Sequence, residues 1–153
     1  MTRIDFYLVP GADPHGRRVT ACRLIEKAYR QGHRVYLHTS SEEEARLLDE
    51  LLWTFRQGSF VPHELFPGAA EEAPVWVGYG PAPDSLTDVL VNLAPEVPVG
   101  FERFQRLAEF IDEDEAVKRA GRRRYKAYKD AGYAPATHRL DGVGGPGSPG
   151  EAG

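Results

Sequence analysis

The chain has 153 residues and a formal net charge of −4; 41% of it is apolar and 27% charged. That make-up fits one globular domain long enough to bury most of the surface its unfolded chain exposes. The acidic balance speaks against a general nucleic-acid binder, no apolar run approaches the roughly 18 residues of a membrane span, and the single cysteine, Cys22, allows no internal disulfide and fits a reducing compartment.

Met1-Thr-Arg leads straight into residues 4–9 (IDFYLV), an apolar run of strand formers cut off by Pro10-Gly11. No signal peptide is expected there, and the protein is expected to be cytoplasmic. Residues 19–30 predict a helix, because Val19, Cys22, Ile25, Ala28 and Tyr29 recur at helical spacing and Gly32 follows as a stop. Cys22 lies inside that apolar pattern, as buried filler. Residues 34–39 (RVYLHT) predict a second strand, and Ser41 with Glu44 reads as a capping box opening a helix over residues 45–55. The order strand–helix–strand–helix points to a parallel α/β core with right-handed crossovers.

A stretch interrupted by Pro62 and Pro67 follows, then two apolar runs read as strands, residues 74–79 and 88–93. Residues 101–111 read as a helix whose apolar face is Phe101, Phe104, Leu107, Ala108 and Ile111. Residues 109–133 open with acids, close with bases, and reach Gly132 where a terminating glycine belongs, as the helix dipole favours. On that helix Lys118, Arg122 and Lys126 share a face with Tyr125 beside them, a cationic strip suited to an anionic partner that also carries an apolar group. A solvated basic helix end fits the same composition. Gly121 in its middle costs about 1 kcal/mol against alanine, so a packing or docking reason for it is expected. Residues 141–153, with Val143 as their one large apolar side chain, are expected to be a disordered Gly/Pro-rich tail beyond a domain of residues 1–140.

Chemistry-bearing patterns are few. Residues 11–18 sit between the first strand and first helix, but Arg17 and Arg18 stand where a phosphate loop needs lysine and a hydroxyl, and Pro14 lacks an amide donor. That segment reads as an ordinary turn, and no GxGxxG is present. His15, His33, His38, His63 and His138 show no ligand spacing, so no metal or cofactor is expected. The large apolar groups between Trp53 and Phe66 either form an exposed interface patch or cover the end of the sheet.

FYL at residues 6–8, LDELLW at 48–53, SFVPHEL at 59–65, RYKAY at 124–128 and AGY at 131–133 together resemble the chi subunit of the bacterial DNA polymerase III holoenzyme. The resemblance covers residues 1 to about 140. It implies a three-layer α/β/α fold with a mostly parallel central sheet, nucleotide-binding-like but without a nucleotide site and without catalysis. It implies one surface for the psi subunit, which tethers chi to the clamp loader. A second surface would hold the acidic, phenylalanine-terminated tail of single-stranded DNA-binding protein. By position in the motif, Lys118, Arg122, Tyr125 and Lys126 would form the cationic and aromatic wall of the tail site, with Ile111 and Thr137 lining its pocket. Trp53 and Phe60, with Pro62 nearby, would form the surface for psi or a helicase-type partner. Two rivals make different demands. A small α/β enzyme or nucleotide binder would use the strand ends near Asp13 and His38, and direct DNA binding would use residues 119–129, with steep salt dependence and no sequence preference.

Overall fold

A computed structural model describes residues 1–68 and 73–140. The chain runs β1 (Arg3–Leu8), α1 (Pro14–Arg30), β2 (Val35–His38), α2 (Glu42–Thr54), β3 (His63–Leu65), β4 (Val75–Gly78), β5 (Val89–Asn92), a 3₁₀ turn (Phe101–Arg103), β6 (Arg106–Ile111), α3 (Glu115–Asp130) and β7 (Ala136–Arg139). All seven strands are parallel, in the order β3-β4-β2-β5-β6-β1-β7. The three-layer α/β/α architecture expected from the sequence is the one observed. The expected tail at 141–153 lies outside the described residues.

Strand alternation assigns the two faces of the sheet. Tyr7, Val35, Leu37, Val75, Val77, Val89, Val91, Ala108 and Phe110 point to one side and pack with Ala21, Cys22, Ile25 and Leu48 of α1 and α2. Ile4, Phe6, Tyr36, Trp76, Leu90, Leu107 and Ile111 point to the other, where α3 and the 3₁₀ turn cover them. Burial pushes the Cys22 thiol up to about 12, leaving it an inert space-filler.

Three sequence expectations need correction. Residues 11–18 are not all turn: α1 begins at Pro14, whose missing N–H costs nothing in a first turn, and Asp13 caps it by accepting from the His15 amide at 3.0 Å. Residues 101–111 are not a helix. Only the 3₁₀ turn is helical, and Arg106–Ile111 is an interior strand between β5 and β1. A strand buried on both faces shows no polar alternation, so its apolar spacing imitated a helical face. The capping box of α2 is shifted: Ser41 Oγ accepts from the Glu44 amide at 3.1 Å, but Glu44 reaches back to the amide of Ser40, at 2.8 Å, rather than of Ser41.

Glu109 in β6 is fully buried. Arg124 donates to it through Nε at 3.1 Å and pairs through its terminal nitrogen at 3.0 Å, Tyr128 donates its hydroxyl at 2.6 Å, and Asn92 Nδ2 donates at 3.1 Å. Asn92 Oδ1 in turn lies 2.8 Å from His38 Nδ1, and Arg124 also donates to the Pro95 carbonyl at 2.9 Å. Burial and the Glu109 carboxylate both push the Tyr128 phenol far up. On the opposite face Asp5, also fully buried, is held by Arg3, Arg106 and His138, so β6, β1 and β7 meet at one carboxylate.

Removing one partner of a buried ion pair leaves the other charge uncompensated. Arg124→Ala is expected to cost about 3–5 kcal/mol in urea unfolding, and Tyr128→Phe about 1.5–3 kcal/mol for one hydrogen bond to a charge.

Glu26 of α1 ties down the segment after α2, accepting from Arg56 at 2.7 Å and from the Ser59 hydroxyl at 2.6 Å. Burial works to raise its pKa, but the bonds from Arg56 and Ser59 and the charge of Arg30 outweigh it and hold the carboxyl below its usual value. A carboxyl lowered by folding adds stability above its unfolded value, about 4.3, that is lost as pH falls through the folded one. Glu26→Gln should therefore lower the Tm at pH 7, and the gap to the parent protein should close below about pH 4.

Candidate functional site

Helix α3 is specified at both ends. Asp114 accepts from the Val117 amide at 3.1 Å as N-cap. At the other end Gly132 takes the left-handed conformation (φ 96°), with its amide donating to the Lys129 carbonyl and the Tyr133 amide to the Tyr128 carbonyl, both at 3.0 Å. That is a Schellman stop at the predicted glycine. The helix spans Glu115–Asp130 and not the whole of 109–133, because residues 109–111 belong to β6.

Ala120, Gly121, Arg124 and Tyr128 are the buried residues of α3. Gly121 has the packing reason the sequence called for: a Cβ there would run into the Ile111 side chain of β6. With those residues against the sheet, Lys118, Arg122 and Tyr125 come to the margin of the helix that overhangs β1 and β7. There they border a cavity of about 230 Å³. Its floor is Phe6, Leu8, Ile111 and Gly121, its walls Tyr125 and Thr137, and its rim Lys118 and Arg122. The Tyr125 ring is set edge-on to Phe6, with centroids 5.3 Å apart.

Five of the six residues expected at the tail site, Ile111, Lys118, Arg122, Tyr125 and Thr137, line this cavity. Lys126 is not among the lining residues; its ammonium lies 2.6 Å from Asp130 on the outer face of α3. Lys129, one turn beyond Tyr125, holds its ammonium 5.9 Å from the Tyr125 ring centre and is likewise not among the lining residues. Sequence reasoning did not list Phe6, Leu8 or Gly121 as lining. The signals were present: Phe6 and Leu8 alternate within the FYL run, and Gly121 was an unexplained helical glycine. A cavity of about 150 Å³ accommodates benzene, so this one has room for a phenyl ring.

A second cavity of about 360 Å³ adjoins the first and shares Leu8, Ile111 and Lys118 with it. It adds Val9, Pro10 and Leu140 as apolar lining and Arg139, Asp112 and Glu113 as charged lining.

At the opposite edge of the sheet Trp53 and Phe60 are 44% and 66% exposed, with ring centres 5.8 Å apart, beside half-buried Pro62. Trp53 also packs against the buried His63 ring at 4.1 Å. The apolar stretch thus divides: Val61 is fully buried, Phe55, Leu65 and Phe66 pack against the core, and Trp53 and Phe60 remain outside.

The residues of the enzyme alternative do not converge. Asp13 caps α1 and His38 pairs with Asn92, and neither cavity includes them. Beside the start of α1, where a phosphate-binding fold keeps the helix terminus open, Arg17 bridges the ends of β5 and β6. Its guanidinium donates to the Leu93 and Phe110 carbonyls at 3.4 and 3.3 Å and lies 4.0 Å from Asp112; burial lowers its pKa. Among the described residues no group of three or more His, Cys, Asp and Glu is placed to hold a metal, and no helix is long and apolar enough to cross a membrane.

The family model for the DNA polymerase III chi subunit, HolC, matches residues 1–136. A protein of Pseudomonas aeruginosa named DNA polymerase III subunit chi is 46% identical over 140 residues, covering 92% of this chain and 98% of that one. Proteins of the same name from Haemophilus influenzae and Escherichia coli K12 are each 32% identical, over 78% and 73% of this chain and 85% and 78% of theirs. Motif, fold and relatives agree: the chain belongs to the DNA polymerase III chi subunit family.

Proposed function

We propose that this chain is a non-catalytic accessory subunit of the DNA polymerase III holoenzyme in DNA replication, acting in the cytoplasm without a cofactor. It holds the acidic, phenylalanine-terminated tail of single-stranded DNA-binding protein and reaches the clamp loader through the psi subunit. The observation that carries the reading is the cavity under α3, apolar at its floor and cationic at its rim. A terminal phenyl ring is the group such a floor takes up, and the chain-end carboxylate and preceding aspartates are what Arg122 and Lys118 bind through charge-assisted hydrogen bonds. Net charge of −4 with cations concentrated on one helix favours a local anionic ligand over the DNA backbone.

The Trp53–Phe60 pair supports the second half of the reading. Two large aromatic side chains exposed together at a sheet edge form the centre of a protein interface more readily than a solvated surface. Psi, or a helicase-type partner competing for the same place, would cover them.

Titration of the protein with a fluorescent copy of the tail peptide tests the first claim. Arg122→Ala is expected to weaken binding at least about tenfold, loss of one charge-assisted contact. A peptide without its terminal phenylalanine should not bind measurably, and added salt should weaken the complex less steeply than it weakens a DNA complex. Equal binding by all four combinations of protein and peptide would remove the claim. For the second surface, Trp53→Ala with Phe60→Ala should abolish co-purification with psi while leaving tail-peptide affinity within about twofold.

A further inference from the structure

His63 opens β3 directly behind the Trp53–Phe60 pair, and its side chain is sealed from solvent. Its ring is held at both nitrogens. Nδ1 lies 2.6 Å from the Val61 carbonyl, and Nε2 lies 2.8 Å from the Asp49 carbonyl and 3.3 Å from the Asp49 carboxylate. All three of those oxygens are acceptors, with no proton to give. Among the described residues no donor reaches either nitrogen.

A neutral imidazole carries one N–H and one lone pair, so it satisfies only half of that arrangement. With the proton on Nδ1, the Nε2 lone pair faces the two Asp49 oxygens; with the proton on Nε2, the Nδ1 lone pair faces Val61. Either tautomer presses one buried acceptor against another. An imidazolium donates on both sides and has a carboxylate beside it. Asp49 of α2 is the charged group that faces the ring. β4 pairs the uncharged Val75 with His63, the approach to the strand brings Val61, and Glu64 alternates to the other face.

Asp49 and Trp53 lie one turn apart on α2, so the residue that supplies the carboxylate is followed on the same face by the indole. The ring centres of Trp53 and His63 are 4.1 Å apart, within the range at which an aromatic ring attracts a cation. Among the described residues the indole N–H has no hydrogen-bond partner, so ring contacts with His63 and with Phe60, 5.8 Å away, orient Trp53. The two bonds from His63 also tie residues 61–63, which follow Phe60 directly, to α2. We infer that His63 is a positioning residue for this second surface: as an imidazolium donating to Val61 and Asp49, it fixes the face of Trp53 that the partner covers. This rests on the psi-docking half of the reading above and names what holds that surface in shape.

Nitrogen NMR of the full chain with labelled histidine tests the first step and needs no substitution. Near neutral pH both ring nitrogens of His63 are expected to carry a proton, and the spectrum of either neutral tautomer would overturn the inference. The second step is read by calorimetry with psi. His63→Gln keeps the bulk and one donor but has no charge, and is expected to weaken psi binding about tenfold. It should also shift the indole signal of Trp53 and not that of Trp76, which points to the other face of the sheet. In a Trp53→Leu chain the same substitution should change affinity less than about twofold, because a residue acting through Trp53 then has nothing to position. Full affinity in His63→Gln, or a tenfold loss that persists in the Trp53→Leu chain, overturns the positioning role and leaves psi docking in place. If the parent chain does not bind psi, the docking reading falls and the inference falls with it.

Discussion

A carboxylate sealed from solvent can persist as an ion only if the fold supplies its counter-charge and hydrogen bonds, and Glu109 imposes that demand on the centre of this sheet. The answer comes from one side of α3, where Arg124 and Tyr128 lie one turn apart, and from Asn92 on the neighbouring strand. Satisfying Glu109 fixes the rotation of α3 about its axis. Gly121 then meets Ile111, the helix approaches closely, and Lys118, Arg122 and Tyr125 are carried to the overhanging margin. A rotation by one residue, about 100°, would move those three away from the cavity and leave a buried charge unpaired. The surface face of α3 is thus set by a polar contact it does not display.

The same sheet keeps the two candidate interfaces apart. The cavity lies at the β7 edge and the Trp53–Phe60 pair beside β3 at the other edge. Six strand spacings of about 4.8 Å separate those edges, about 29 Å in all. A sheet buried on both faces is a rigid spacer between the two patches. Each end is also braced locally. Asp5 holds β7 through His138, and Glu26 holds the segment leading to Phe60 through Arg56 and Ser59.

At the carboxyl end of the sheet two polar side chains are committed to internal contacts. In open parallel sheets small ligands bind outside the strand ends, where helix termini are free. Here Arg17 spends its guanidinium on the carbonyls that end β5 and β6, and His38 is drawn into the Asn92–Glu109 chain. Both side chains are engaged by the protein itself, while the larger cavity opens beside the residues that follow β1, β6 and β7.

Local pattern and motif determined much of this in advance. The strands at the start of the chain, both flanking helices, the Gly132 stop and the parallel class follow from spacing and turn chemistry, because those signals act within a few residues. The family resemblance pointed to Ile111, Lys118, Arg122, Tyr125 and Thr137, which line the cavity, and to Trp53 and Phe60, but it also included Lys126 and missed Phe6, Leu8 and Gly121. Only the tertiary structure decided that residues 106–111 are a strand, since their apolar spacing fits a helix and the demand that makes Glu109 a core residue is met by Arg124, fifteen positions later. Likewise it alone placed β3 and β7, short and half-polar edge strands whose existence depends on neighbours distant in sequence, and it turned Lys126 to Asp130 and away from the cavity. Periodicity records which way a side chain faces along its own element; which element lies across from it is settled by burial and charge pairing across the whole chain, and that information no short window contains.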